Sequence, residues 1–171
     1  MDTNTLTEKP SMDWGSHLPA LVACVAACDG PVLEIGAGHH STPVLHSLCA
    51  VLGKKLVTVE AEDVWREVFA DYATDNHKVL KQTDELLVAL ASEKWGVVFV
   101  DDLKGPRDER ARLFCRSSQF MVFHDYSMPF FGGPLDEWLG SEKFNSFVYR
   151  RYDPHTLVVS ANSDIPVFSP Q

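Results

Sequence analysis

Five short apolar runs alternate with stretches of helical periodicity between residues 32 and 123, and this alternation constrains the fold more than any other feature. The runs cover residues 32–35 (VLEI), 55–60 (KLVTVE), 78–81, 95–100 (WGVVFV) and 119–123 (QFMVF). The intervening segments read as helices: 42–52, 61–72, 84–91 and 106–114. Thr42-Pro43 has the form of an N-cap followed by proline in the first helical position. In 61–72 the expected inner face is Val64, Trp65, Val68, Phe69 and Tyr72. A further helix over 16–28 comes first, with Leu18, Leu21, Val22, Val25 and Cys28 at helical spacing and Asp29-Gly30-Pro31 to stop it. Beyond the fifth run, SMPFFGGP (127–134) reads as a loop leading to a short helix from Leu135. Residues 144–152 and 156–160 then read as two strands joined tightly at Asp153-Pro154-His155. Successive strand–helix units imply an open, mostly parallel sheet covered on both faces, with the hairpin as an antiparallel edge.

Composition bounds the partners. The chain has 171 residues and a formal charge of −9, which disfavours a phosphate backbone, so no nucleic-acid partner is expected. No apolar run approaches the ~20 residues of a membrane helix, and the N-terminus has no basic-then-apolar pattern. No membrane partner is expected, and the chain reads as a cytoplasmic protein. Cysteines at 24, 28, 49 and 115 form no C-x-x-C and read as reduced core residues. Residues 1–13 read as a flexible lead-in and residues 14–171 as one domain.

In an open α/β sheet, ligands bind outside the carboxyl ends of the strands. Those ends are 34–42, 60–61, 82–84, 101–102 and 124–126, and each carries a carboxylate. Such a rim repels phosphate and suits hydroxyls, amines or a cation. The first end, LEIGAGHHST, holds Gly36 and Gly38, which permit a tight turn and a close ligand. A dinucleotide fingerprint needs a third glycine where Ser41 stands, and Glu34 would repel a pyrophosphate. His39 and His40 are adjacent and have no matching metal ligand at useful spacing, so they read as residues that shape the loop. A glycine turn holding no ligand is the plain alternative. Glu60 closes the second strand 22 residues after Gly38, near the ~20-residue spacing at which an acid accepts ribose hydroxyls.

VLEIGAGHHST, the acid Glu60 and the later FVDD together resemble the class I S-adenosylmethionine-dependent methyltransferases, over roughly residues 14–160. The resemblance implies an α/β, Rossmann-like doubly wound, mostly parallel seven-stranded sheet with a C-terminal antiparallel hairpin. It implies that Glu34 and the Gly36–Gly38 backbone face the amino acid part of S-adenosylmethionine. Ser41 and Thr42 would open a helix aimed at the methionine carboxylate. Glu60 would hold the ribose, Ala61 would leave room for adenine, and Thr83 and Asp84 would contact it. Asp101, first acid of FVDD, completes the cofactor set.

The fifth end, FHDYS, resembles the strand-five ending of small methyltransferases related to capsule and antibiotic biosynthesis enzymes. In metal-dependent catechol-type methyltransferases, acids at the ends of strands four and five bind magnesium and an Asn follows the second. Here Asp101 and Asp125 occupy those places and Tyr126 replaces the Asn, leaving an incomplete set of hard oxygen ligands that would favour Mg2+. His124, Asp125 and Tyr126 are the candidate catalytic residues, with Asp125 or His124 as proton acceptor. The expected activity is methyl transfer to an oxygen or nitrogen nucleophile of a small molecule. The alternatives are a non-catalytic cofactor-binding or adaptor module, or an enzyme that cleaves S-adenosylmethionine or transfers another group from it. Trp14 is a candidate cover for the cofactor, Phe130 and Phe131 are candidate substrate contacts, and a homodimer would complete so small a pocket.

Overall fold

The strand-like runs assemble into one sheet. A computed structural model describes residues 15–102, 107–161 and 163–166 of the chain. Its strands are β1 (Val32–Ile35), β2 (Leu56–Glu60), β3 (His77–Lys81), β4 (Trp95–Val100), β5 (Ser118–Phe123), β6 (Asn145–Tyr149) and β7 (Thr156–Ser160). Their order is β3-β2-β1-β4-β5-β7-β6; the first five are parallel and β7 is antiparallel to both its neighbours. The seven-stranded, doubly wound sheet with an antiparallel hairpin is therefore the observed architecture. β1 and β4 are buried along their whole length, as central strands covered on two faces must be, and this is why β4 reads as an unbroken apolar run and β1 as one interrupted only by Glu34.

The helices divide between the faces. α1 (Leu18–Ala27) and α2 (Ser41–Leu52) bury Leu21, Cys24, Val25, Leu45 and Cys49 against one side of the sheet. On the other side, α4 (Asp84–Ala91), α5 (Arg107–Phe114) and α6 (Pro129–Ser141) bury Leu87, Leu90, Phe114, Leu135 and Trp138. The cysteines are free and buried, and burial pushes the Cys24 and Cys49 thiols up to about 12. No helix among the described residues is long and apolar enough to cross a membrane.

Four local readings change. First, α6 begins at Pro129, so most of SMPFFGGP is helix. Pro129 sits where a helix needs no N–H, and Gly132 lets the turn lie against the Tyr126 carbonyl, which a Cβ would meet at 2.2 Å. Second, the cap of α2 is His40, not Thr42, whose hydroxyl is committed elsewhere. Third, α3 (Asp63–Val68) is an edge helix with no buried residue; Val64 and Val68 face solvent and only Phe69, just beyond it, is buried. Fourth, the β6–β7 connection spans residues 150–155 rather than a three-residue turn. The expected lead-in (1–13) and Trp14 lie outside the described residues, as do 103–106.

Candidate functional site

Register places the site. Ile35 is level with Val59 and Val100, and Val100 with Phe123. One residue further on, Gly36, Glu60, Asp101 and His124 therefore stand side by side along the carboxyl rim. The ladder continues through them: the Gly36 N–H donates to Val59, the Asp101 N–H to Ile35 and the His124 N–H to Val100. β1 and β4 are also the strands between which the chain changes direction, so their loops splay apart and leave a crevice. A cleft of about 640 Å³ opens there, within the ~300–1,000 Å³ range of small-ligand sites.

At its β1–β2 end, Gly36 has φ +93°, and a Cβ would meet the Asp101 backbone at 2.7 Å, so only glycine fits. The Glu60 carboxylate is pinned by two backbone donors, Ala37 N–H at 2.8 Å and Glu62 N–H at 2.7 Å. Each oxygen thus has one bond and keeps acceptor capacity toward the cleft. His39 packs against the Trp65 and Phe69 rings, with centroids 5.2 and 5.3 Å away, which holds α3 against the glycine loop. Glu34 lies beneath the loop, fully buried. Its Oε2 accepts from Thr42 (3.0 Å) and Thr58 (2.7 Å), and Thr42 in turn accepts from the Gly38 N–H (3.0 Å). Burial pushes the Glu34 carboxyl up to about 7, against the opposing pull of the Ser41, Thr58 and Thr42 hydroxyls.

At the β4–β5 end, His124 Nδ1 is 3.0 Å from Asp101 Oδ1 and Nε2 is 3.1 Å from Ser16 Oγ. The Ser16 hydroxyl spends its hydrogen on the Pro154 carbonyl, 2.7 Å away, so Nε2 must be the donor. Nδ1 faces a carboxylate, an arrangement that favours the protonated ring. The charge balance agrees: burial opposes the cation, but the Asp101 hydrogen bond and the Asp101 and Asp125 charges outweigh it and raise the pKa. Neighbouring His17 goes the other way, down to about 3, through burial and the His124 charge. Its ring nitrogens are buried in the cleft wall and find no partner among the described residues. Asp125, at φ 60° in the left-handed region that Asp tolerates, has its pKa raised by burial and then by Asp101, against the pull of His124 and Arg107.

Of the expected residues, Gly38, Ser41, Glu60, Ala61, Asp101, His124 and Asp125 line the cleft. The others stand outside its lining. Glu34, Gly36 and Thr42 support the loop from below. Thr83 is exposed and caps α4, accepting the Leu86 N–H at 3.2 Å, and Asp84 is exposed in the first turn of that helix; Gln82 lines the cleft instead. Tyr126 turns toward α6, where its hydroxyl donates to Asp136, and burial with that bond pushes it up to about 12. Sequence reasoning passed over Ser16, His17 and Arg107. Nothing in their local pattern marks them, although a buried arginine in an otherwise polar helix five residues after Asp101-Asp102 is the kind of cation a paired acid would require.

No family model and no curated relative matches the chain. Solved structures do. An O-methyltransferase from Bacillus cereus in complex with SAH aligns at TM-score 0.63 and 17% identity, over 90% of this chain and 82% of that one. The O-methyltransferase TomG from Streptomyces achromogenes, involved in tomaymycin synthesis and solved with SAM, aligns at 0.63 and 18%, over 85% and 79%. Precorrin-6y C5,15-methyltransferase from Geobacter metallireducens aligns at 0.62 and 12%, over 94% and 92%. At these identities the likeness is one of fold: the chain has the fold these methyltransferases share.

Proposed function

We propose that this chain is an S-adenosylmethionine-dependent methyltransferase acting on an oxygen or nitrogen nucleophile of a small molecule. One observation carries the reading: Glu60, tied to the glycine loop, stands at one end of a ligand-sized cleft whose other end is the Asp101–His124–Asp125 cluster. The residues fit the cofactor. The spare lone pairs of Glu60 suit the two hydroxyls of a ribose. Ala61, Trp65 and Gln82 offer a flat, mostly apolar wall for adenine, and the start of α2 suits the methionine carboxylate.

S-adenosylmethionine would supply a sulfonium methyl group for in-line attack by the acceptor, with S-adenosylhomocysteine as the neutral leaving group. The chain's part is to hold, orient and deprotonate. His124 has both ring nitrogens engaged, by Asp101 and Ser16, which leaves it less free to accept a proton. Asp125 lines the cleft with a raised pKa, which makes it the better proton acceptor for an acceptor O–H or N–H. Neutral His17 presents an unpaired lone pair and N–H to orient that group. The chain's net charge of −9 favours a cationic cofactor over polyanionic partners. Isothermal titration with S-adenosylmethionine is the test. One-to-one binding is expected, and no heat at about 1 mM, the weak end of useful affinity, would sink the reading.

A further inference from the structure

We propose that the Arg107 guanidinium is the resident cation of the transfer site, standing between Asp101 and Asp125 where a divalent metal would otherwise sit. The inference rests on the methyltransferase reading only for the reaction that the site serves. A single nitrogen, Arg107 Nη2, lies 3.4 Å from Asp101 Oδ1 and 3.6 Å from Asp125 Oδ2, so it bridges the two carboxylates that strand-end chemistry offers a magnesium ion. The side chain is 1% exposed and clamped. Nη1 donates to the Asp102 carbonyl at 3.0 Å and to its carboxylate at 3.3 Å, and the Phe131 ring covers the guanidinium at 4.2 Å. A metal bridging these two oxygens would have to displace a guanidinium that is itself buried.

Charge leads to the same result. The acids Asp101, Asp102 and Asp125 are met by two permanent cations, Arg107 between them and Arg110 3.1 Å from Asp102. A divalent ion in place of Arg107 would add a further positive charge beside a sulfonium, and like charges in a partly dry cleft repel. Nor does the trio of His17, Asp101 and His124, whose ligand atoms lie within 4.8 Å of one another, offer a metal site. Both His124 nitrogens are already engaged, Nδ1 by Asp101 and Nε2 by Ser16. Magnesium keeps several waters and is held by one or two carboxylates, and here one oxygen of each candidate acid already faces the guanidinium.

Two consequences follow for the substrate. Without a metal, a vicinal pair of oxygens has nothing to chelate it, so the acceptor is engaged through one hydroxyl or amine at Asp125 and His17. Arg107, buried and out of reach of that acceptor, acts as a positioning residue that keeps Asp101 and Asp125 together as anions.

Manganese titration followed by electron paramagnetic resonance tests this directly, on protein without cofactor, so that its outcome is independent of whether S-adenosylmethionine binds. Wild type should leave all added Mn2+ free up to about 1 mM, the weak end of carboxylate-held sites. Arg107→Gln exposes the acid pair and should take up one Mn2+ per chain, and the further change Asp125→Asn should abolish that uptake. Stoichiometric uptake by wild type that Asp125→Asn removes would overturn the proposal. So would a folded Arg107→Gln, checked by circular dichroism, that binds no Mn2+. If Arg107→Gln does not fold, the wild-type titration and Arg107→Lys, which keeps the cation and should also leave Mn2+ free, decide the matter.

Discussion

Glu34 and Glu60 end neighbouring strands, yet their surroundings set them opposite tasks. Glu60 meets two backbone donors at the cleft wall, and in the proposed function it accepts from a ribose diol. Removing it leaves the Ala37 and Glu62 N–H groups unbonded and the ribose without its acceptor. Hydrogen bonds to a charged group contribute about 1.5–3 kcal/mol, so Glu60→Ala should weaken S-adenosylmethionine binding roughly 10- to 100-fold by titration calorimetry. Glu34 lies in a dry pocket with its carboxyl raised from 4.5 to about 7. The folded protein therefore keeps this proton while the unfolded chain releases it. The resulting stability is fully present below about pH 4.5, declines as pH rises, and is lost by about pH 7, an effect on the order of 3 kcal/mol. Glu34→Gln cannot ionise, so urea-unfolding free energies measured across this window should fall for wild type relative to the variant. Parallel curves would show that Glu34 is already charged in the fold.

At the scale of elements, α6 is the instructive case. Its sequence, PFFGGPLDEWLGS, carries two prolines and three glycines, which as local signals mean a turn. It is helical because Leu135 and Trp138 are both buried on the sheet and because Gly132 permits contact with the Tyr126 carbonyl. Tertiary burial outweighed propensity. Gly132→Ala would push a methyl group into backbone that cannot yield cheaply. An overpacking cost of about 2–3 kcal/mol should lower Tm by roughly 5–10 °C in calorimetry. The same packing carries Phe131 over Arg107, so α6 also closes the charged end of the cleft. α3 shows the reverse error. Its apolar spacing suggested an inner face, but it lies over the β2–β3 edge of the sheet, where Val64 and Val68 have nothing to pack on.

Across the whole molecule, a ligand that binds only the folded state stabilises all of it. S-adenosylhomocysteine at 100 times its Kd should add about 2.7 kcal/mol, or roughly 5–10 °C in Tm by differential scanning fluorimetry. No shift would speak against a cofactor cleft of this kind. The order of elements, the parallel sheet and the ends of its strands were legible from the chain alone, since buried strands and helix faces repeat at short, fixed periods. Gly36, Glu60, Asp101 and His124 fell in line for that reason: each follows directly from where an apolar run stops. The partners of those residues were not legible. Ser16 reaches His124 across 108 positions, and Arg107 reaches Asp125 across the whole of β5. No periodicity encodes such meetings, which arise when the sheet sets the strand ends level and the helices close over them. Local pattern thus placed the acids on the rim, while three-dimensional packing set Arg107 and His124 beside them.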